Sequence, residues 1–426
     1  MKVIIVGAGM GGLTAALTLH QAGFEVKVYE SVRDIKPLGV GINILPNAMR
    51  VFEAVGLKDT LCNTGILTKD LQYFNHLGQR FMTEPRGLGA GYRVPQVSIH
   101  RGDTQMILLR TVRERVGPDA VTMGHQLVDF EQLPNGVRAV FKDRGNGNRQ
   151  VTDNADILVG ADGIRSAVRA KLYPSEGPAK WNGLLAFRGA TPSEQFLGGT
   201  SMIMAGNPKS RFFMAYPMSR RYFDEGKSWT NWAVVTPAKN PEKGYKTEDW
   251  NRIADLDDFL PDYKEWKFDW LDIPAIIRGA PEVYEFPFVD RDPLPRWSFG
   301  RVTLLGDAAH PMHPWGSSGA SLAFVDAYAL ADALSGNAQV EKAFEQYEAV
   351  QRTVTTRAIN ENRRAGPVDF MEIIEQRAPN GFKNIDEVIP SRELNELVLR
   401  YKPAAGFDRD TVNKPIEIKP RTSVRA

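Results

Sequence analysis

Cysteine is nearly absent from this chain of 426 residues. Cys62 stands alone, so an internal disulfide and a redox dithiol are both excluded, which fits a reducing compartment and a cytoplasmic location. A surplus of charge is also missing. With 53 Lys and Arg against 51 Asp and Glu the net charge is +2, and no basic block forms a stripe, so no nucleic-acid partner is expected. Long unbroken apolar runs are lacking too. The stretch Val3–Leu19 comes nearest, but Gly7, Gly9, Gly11 and Gly12 interrupt it where a signal peptide or anchor would be continuous, and it is too short to cross a bilayer. No membrane partner is expected, and a monomer and a homodimer both remain open. What is present is a hydrophobic content of 42%, enough for a large core divided between two domains rather than three.

The most ordered signal lies at the start. Lys2–Val6 reads as a buried strand, Gly7-Ala8-Gly9-Met10-Gly11-Gly12 fits GxGxxG, Leu13–Gln21 reads as helix, and Phe24–Glu30 as a second strand ending on an acid. That is the grammar of a dinucleotide-binding βαβ unit. Gly7 permits the tight turn, Gly9 the approach of a pyrophosphate, Gly12 close packing, and Glu30 can accept from an adenosine ribose hydroxyl. An acid at that position disfavours a 2'-phosphate, so the bound dinucleotide should be FAD or NAD rather than NADP. Glycine clusters at Gly87–Gly91 and Gly145–Gly147 lack the strand-then-helix context. A nicotinamide co-substrate would therefore bind transiently and elsewhere.

A second organising stretch runs from Arg301 to Leu334. Val302–Leu305 forms a short strand that breaks at Gly306, Pro311 and Pro314 keep the next residues from becoming helix, and Gly316–Gly319 make a small-residue turn before a helix from Ala320. Asp307 can accept hydrogen bonds from ribityl hydroxyls. The helix start at Gly319, Ala320 and Ser321 can hold negative charge, by about 0.3–1 kcal/mol at a surface and more when buried. The same grammar recurs at Ala155–Val159, Asp162-Gly163 and Ser166–Leu172. Segments 1–30, 155–172 and 301–334 are thus expected to meet around one extended ligand. Near them, Gly39, Val40 and Gly41 would let backbone pass close to a flat ring, a helix from Pro46 should end near Gly56, and Asp103 should cap a helix to Arg115, with Arg101 beside a cofactor phosphate. Residues 71–99 read as one strand plus an irregular excursion, and Leu127–Thr152 as a hairpin.

The remaining chain gives the architecture. Trp181, Phe187, Phe212, Phe213, Tyr216, Tyr222, Phe223, Trp229 and Trp232 lie on extended runs that predict a mostly antiparallel sheet. The fold class is therefore α/β: a Rossmann-like dinucleotide-binding domain, an FAD-binding domain on the resemblance that follows (1–70, 100–174 and 291–365), an inserted mostly antiparallel β-sheet substrate domain (71–99 and 175–290), and a C-terminal helical extension and tail (366–426). The extension should hold a helix over Arg392–Tyr401 and a basic tail from Lys414.

GAGMGG with Glu30, VGADGIRSAVRA, and LLGDAAHPMHPWGSSGAS followed by DA together resemble the single-component (class A) FAD-dependent aromatic hydroxylases, such as salicylate and p-hydroxybenzoate hydroxylases, across most of residues 1–365. LGVGIN, SIHRGDTQMILL, VDRDPLPRW and GASLAFVDA look like the phenazine-carboxylate hydroxylase branch that completes pyocyanin. One departure stands out. The family often shows Gln-Gly followed by Asn in the flavin loop, where this chain has Ser318-Gly319 and Ser321, so hydrogen bonds to the flavin should come more from backbone.

The resemblance implies that NADH or NADPH reduces FAD, that O2 adds at flavin C4a, and that the hydroperoxide passes an oxygen to an aromatic or heteroaromatic small molecule, possibly carboxylated and phenazine-like. Val40, Gly41, Arg101, Asp162 and Asp307 would join the glycines and Glu30 in holding FAD. Pro314 would flank the ring, and Gly319 with Ala320 would stabilise charge on the reduced flavin. His313 and Tyr216 are the candidates for moving a proton. Arg188 or Arg211 would meet a substrate carboxylate, with Tyr216 and Trp315 lining the pocket. His310 and His313 invite a metal reading, but the prolines at 311 and 314 break helical presentation and no third ligand is evident, so no metal is expected. Two alternatives compete: a flavin halogenase, whose WxWxIP signature is absent because Trp229 and Trp232 are wrongly spaced, and a non-catalytic FAD-binding protein, suggested by the missing base.

Overall fold

Strand pairing gathers the chain into two large sheets and places the three glycine-bearing turns side by side. The computed structural model describes residues 1–37, 39–245, 252–399 and 408–421. One sheet is five-stranded and parallel, in the order Val302–Leu304, Ile157–Gly160, Lys2–Val6, Glu25–Tyr29, Val121–Thr122. Its central strands are buried on both faces, which explains why they read as continuous apolar runs. Register then does the positioning. Val6 pairs with Gly160, and Gly160 with Leu304, so the chain leaves all three strands at one level on the carboxyl edge, where ligands of open α/β sheets bind. Helices Met10–Gln21 and Gly319–Gly336 pack together here, tied by Thr18 Oγ1 donating to Ala327 O at 2.9 Å.

The second sheet has seven strands, ordered Val283–Asp290, Lys180–Glu194, Lys227–Pro237, Phe212–Pro217, Ser201–Gly206, Asp70–Phe74, Arg80–Pro85. Every pairing is antiparallel except that of Ser201–Gly206 with Asp70–Phe74. The two-residue period of a strand sorts its aromatics by face. Phe187, Phe213 and Trp232 bury against Phe259, Tyr263 and Ile277 on the far side. Tyr73, Phe212 and Tyr216 share the opposite face with Trp315, Phe288 and the C-terminal residues Val368, Phe370 and Met371.

Several local expectations change. Tyr222 and Phe223 lie on a short helix, Arg220–Asp224, closed by an Arg220 to Asp224 ion pair at 2.8 Å, and not on a strand. Residues 71–99 hold more than one strand: Asp70–Phe74 turns through Gly78, whose φ is +79°, into Arg80–Pro85, and Val97–His100 pairs with Gly41–Ile44 and Ile66–Leu67. The expected hairpin at 127–152 is a three-stranded antiparallel sheet over residues 125–155. The helix expected from Asp103 starts at Arg101, because the His100 ring accepts from Asp103 N at 3.3 Å and serves as the cap. A helix runs over Ser391–Leu399, while Tyr401 lies outside the described residues. The basic segment after Lys414 lies on the parallel-sheet unit, with Ile418 buried, Arg421 N bonded to Ala22 O at 2.9 Å and the Arg421 guanidinium over the Phe24 ring. No helix among the described residues is long and apolar enough to cross a membrane.

Candidate active site

The first glycines differ in what they do. Gly7 has φ +102°, and a Cβ on it would lie 2.5 Å from Ala161 O; one on Gly12 would lie 2.0 Å from Gly7 O. Both are demanded by packing. A Cβ on Gly9 would meet nothing within 4 Å, so only the middle glycine borders open space, at the N-cap of the helix Met10–Gln21. Neighbouring contacts fix which segments converge. A Cβ on Gly11 would meet Leu305 Cδ2 at 3.0 Å and Ala323 Cβ at 3.3 Å, and one on Gly306 would meet Ala323 Cβ at 3.1 Å. The Asp307 turn and the helix after Ser318 therefore lie against the opening glycines.

Glu30 closes one end. Its Oε2 accepts from Ala8 N at 2.8 Å and its Oε1 from Val32 N at 2.9 Å and Ser31 Oγ at 3.1 Å. The other side of the Ala8 peptide is held by Gln105 Nε2, bonded to Ala8 O at 2.9 Å. Gln105 was not legible in the sequence, since one polar residue on a mixed helix face carries no signal.

Asp162 caps the short helix Ala167–Leu172: Oδ2 accepts from Ala167 N at 2.7 Å and Val168 N at 3.3 Å. Its Oδ1 is buried with no partner among the described residues. Burial raises its pKa above the ordinary carboxylate range, against the hydrogen bonds from Ser166, Val168 and Ala167. Asp307 is exposed on the turn Gly306–Ala308 yet closely ringed by protein. That enclosure raises its pKa and Asp326 adds to the effect, while His310 and Arg101 oppose it. The turn is gripped from below by Arg169, only 1% exposed, whose Nη1 donates to Ala308 O at 3.1 Å and Ala309 O at 2.9 Å while Nε bonds Glu176 at 2.8 Å. An arginine used as an internal brace is invisible in a pattern that shows only a short helix.

The loop 39–41 is held carbonyl by carbonyl. His100 Nε2 lies 3.0 Å from Gly39 O, Arg101 N donates to Val40 O at 3.0 Å, and Arg188 Nη2 donates to Gly41 O at 3.0 Å. Gly41 N donates to Asn231 Oδ1 at 2.7 Å. A Cβ on Gly41 would sit 2.6 Å from Tyr216 Cε2 and 2.8 Å from Asn231 Cβ, so this glycine is required by close approach. Arg188, Tyr216 and Asn231 thus present one face of the seven-stranded sheet to the loop. Arg188 is half-buried, hydrogen-bonded to Tyr216, and has no carboxylate at salt-bridge distance among the described residues. Burial lowers its pKa, with Arg101 acting the same way and Tyr216 opposing. Burial pushes Tyr216 up to about 12 against the pull of Arg188, so it is a phenol that donates and not a ready proton acceptor.

The remaining candidates lie around residues 310–321. Pro314 is exposed and opens the turn Pro314–Gly316, and Ser317 adopts φ +51° before Ser318 caps the helix. The helix begins one residue earlier than expected, at Gly319, and its first intrahelical bond is Leu322 N to Ser318 O at 2.8 Å. The amides of Gly319, Ala320 and Ser321 precede that bond and have no intrahelical acceptor. Ser321 Oγ accepts from Leu45 N at 3.0 Å, which spends this side chain on the cap position of the helix Pro46–Ala54. Trp315 is buried against Phe212 and Phe288, at ring distances of 5.2 and 5.0 Å. His313 is 4% exposed, and its Nε2 faces Asp290 at 3.8 Å, a carboxylate already bonded to Arg363 at 2.7 Å. Burial lowers its pKa. Arg211 is exposed and bonds Asp262 O at 3.1 Å, apart from Arg188 and Tyr216. Among the described residues no group of three His, Cys, Asp or Glu could hold a metal ion.

The donor set fits FAD: a helix start bordering open space at Gly9, hydroxyl acceptors at Glu30 and Asp307, an unpaired buried oxygen on Asp162, and free amides at Gly319 and Ala320. A profile of the FAD binding domain family matches residues 1–261 and 288–362. Phenazine 1,6-dicarboxylic acid hydroxylase of Lysobacter antibioticus is 46% identical over 362 residues, which is 85% of this chain and 89% of that protein. 6-Hydroxynicotinate 3-monooxygenase of Pseudomonas fluorescens is 33% identical over 358 residues, 82% of this chain and 86% of that one. Among solved structures, a salicylate hydroxylase substrate complex has the same fold, with a TM-score of 0.73 at 20% identity over 100% of this chain and 99% of its own. Klebsiella pneumoniae HpxO complexed with FAD and uric acid gives 0.71 at 21% identity, covering 97% of this chain and 96% of that chain.

Proposed function

Because this chain belongs to the FAD binding domain family and is an FAD-dependent aromatic hydroxylase that uses NAD(P)H and O2, we propose that its substrate is a carboxylated aromatic or heteroaromatic molecule of phenazine-like shape whose carboxylate meets Arg188. One observation carries this reading. Arg188 is a cation beside Tyr216 and Asn231 on a sheet face that also carries Phe212, Met204 and Trp315 contacts, and among the described residues its hydrogen bonds go to a neutral carbonyl and a phenol. A guanidinium in such surroundings gains most from a carboxylate, which it can bind through two parallel hydrogen bonds. Phenazine 1,6-dicarboxylic acid hydroxylase and 6-hydroxynicotinate 3-monooxygenase carry acid substrates in their names.

FAD, when bound, supplies the acceptance of electrons from NAD(P)H and the activation of O2. The protein supplies position, field and dryness. In our reading Gly9 admits the pyrophosphate, Glu30 and Asp307 accept from its hydroxyls, Asp162 and Arg101 complete its contacts, and Val40, Gly41 and Pro314 flank the ring. The amides of Gly319 and Ala320 face the place where negative charge gathers on reduction. Tyr216 donates its O–H toward the substrate, and Trp315 with Phe212 and Met204 keeps that side apolar, which limits water. His313 has its ring turned toward Asp290, and its part is to support the Pro314 turn. We place the FAD-binding domain in 1–70, 100–174 and 291–365 and the substrate domain in 71–99 and 175–290, supported by the two sheets. With Cys62 as the one thiol, the enzyme acts in the cytoplasm.

Arg188→Met tests the reading. Losing a hydrogen-bonded charge costs about 1.5–3 kcal/mol, so KM for an aromatic acid should rise roughly 10- to 150-fold while that for its carboxamide hardly changes. An equal loss for acid and amide removes Arg188 from carboxylate recognition.

A further inference from the structure

Behind the Asp307 turn, a carboxylate with no exposure to solvent joins two parts of the cofactor cradle. Asp326 lies two turns into the helix Gly319–Gly336 and is 0% exposed. Its Oδ2 accepts from Gly306 N at 3.0 Å and contacts His310 Nε2 at 2.5 Å. Gly306 immediately precedes Asp307, and His310 follows it by three residues. A single oxygen therefore grips the turn on both sides of the aspartate that it aims. The helix carrying that oxygen is the one whose free first-turn amides begin at Gly319. Gly306, at φ +62°, packs against Ala323 of the same helix, and His310, 1% exposed, rests on the Trp297 ring at 5.3 Å.

We propose that Asp326, with His310 as its partner, is a positioning residue for the flavin: it fixes the Asp307 carboxylate relative to the amides of Gly319 and Ala320, so that cofactor hydroxyls and reduced-ring charge are met at one set separation. The inference rests on the reading that Asp307 and the helix start hold FAD. Geometry makes the pair a joint and not mere filler. Asp326 spends one oxygen on two donors from the same turn, while its Oδ1 has no partner among the described residues, so all its hydrogen bonding goes to the turn. Burial alone would lower the His310 pKa, but Asp326 and then Asp307 hold it above its ordinary value. The 2.5 Å contact with His310 locks Asp326 in place, and removing either partner strands the other in a dry site.

The test uses FAD titration of apoprotein, with the two-electron reduction potential of the reconstituted protein as second readout. Asp326→Asn should weaken oxidised FAD about tenfold and reduced FAD about a hundredfold; that tenfold difference is a potential about 30 mV lower. His310→Leu should match it, His310→Gln, which keeps an amide donor, should recover most of the loss, and Asp326→Asn with His310→Leu should be no worse than the worse single change. Asp307→Ala is the control for the underlying reading. If it loses FAD while Asp326→Asn keeps affinity and potential within about twofold of the parent, the clamp is overturned and the site stands. If Asp307→Ala keeps full FAD, the site reading falls and takes the clamp with it. A purely structural Asp326 would lower the apoprotein melting temperature and leave the potential unchanged, which also overturns the proposal. Should Asp326→Asn not fold, the two His310 variants carry the same expectations and decide.

Discussion

Gly41→Ala is a single methyl group whose cost can be worked out from its surroundings. Gly41 is outside the left-handed region, so alanine brings no backbone strain and the penalty is steric. The new Cβ would lie 2.6 Å from Tyr216 Cε2, 2.8 Å from Asn231 Cβ and 2.9 Å from the Tyr216 hydroxyl, all well inside contact distance. Neither neighbour can swing away, because Tyr216 is 2% and Asn231 0% exposed. Overpacking of this kind costs about 1–3 kcal/mol. Stretching the bonds from Gly41 N to Asn231 and from Arg188 to Gly41 O adds about 0.5–1.5 kcal/mol for each one lost. Since Arg188 and Tyr216 are the proposed substrate contacts, a shift approaching 1 Å should also lower the rate, up to about a hundredfold. Urea unfolding of the apoprotein measures the first effect, and product formed per NAD(P)H consumed measures the second. Repeating the substitution in a Tyr216→Leu background isolates the cause. There the stability cost should fall measurably, because the colliding ring is gone and only the Asn231 Cβ contact at 2.8 Å remains. Equal costs in both backgrounds would refute the reasoning.

Two further outcomes follow from the same geometry. Gly9→Ala should leave apoprotein stability within about 0.5 kcal/mol yet weaken FAD, whereas Gly12→Ala, placing Cβ 2.0 Å from Gly7 O, should fail to give stable apoprotein; urea midpoints and FAD titration of both variants check the contrast, and intact FAD affinity in Gly9→Ala would count against the cradle. His313 has its pKa lowered by burial, partly opposed by Asp290. A depressed histidine leaves the unfolded chain binding more protons, so its contribution is complete above the ordinary value of about 6.5 and is lost as pH falls through it to the folded value. His313→Leu should therefore flatten part of the acid-side fall in the urea midpoint; an unchanged pH profile would show that the folded ring titrates normally.

Legibility in the sequence followed the range of each interaction. The strands Lys2–Val6 and Ile157–Gly160 and the turns after them are written in apolar runs and glycines that act over a few residues, and the helix after Ser318 in its run of small and apolar residues. The fold class followed from them. Cap identity was harder: His100 lies outside the usual set of Ser, Thr, Asp and Asn, so Asp103 looked like the better start for its helix. Pairings across long stretches of chain were out of reach. Nothing local to Gly41 announces Asn231, 190 residues away, and Arg169 bracing Ala308 and Ala309 carbonyls looks in sequence like one more basic residue on a short helix. Tyr222 and Phe223 misled because aromatic residues favour strands, while their helix is closed by the Arg220 to Asp224 ion pair.

The most direct measurement supplies 18O2 to the FAD-loaded protein with NAD(P)H and an aromatic carboxylic acid of the phenazine or hydroxynicotinate type, and weighs the product. The account predicts a hydroxylated acid carrying one labelled oxygen atom, formed in proportion to the NAD(P)H consumed. Consumption that yields only hydrogen peroxide across every acid tried, or a product whose new oxygen comes from water, would contradict it.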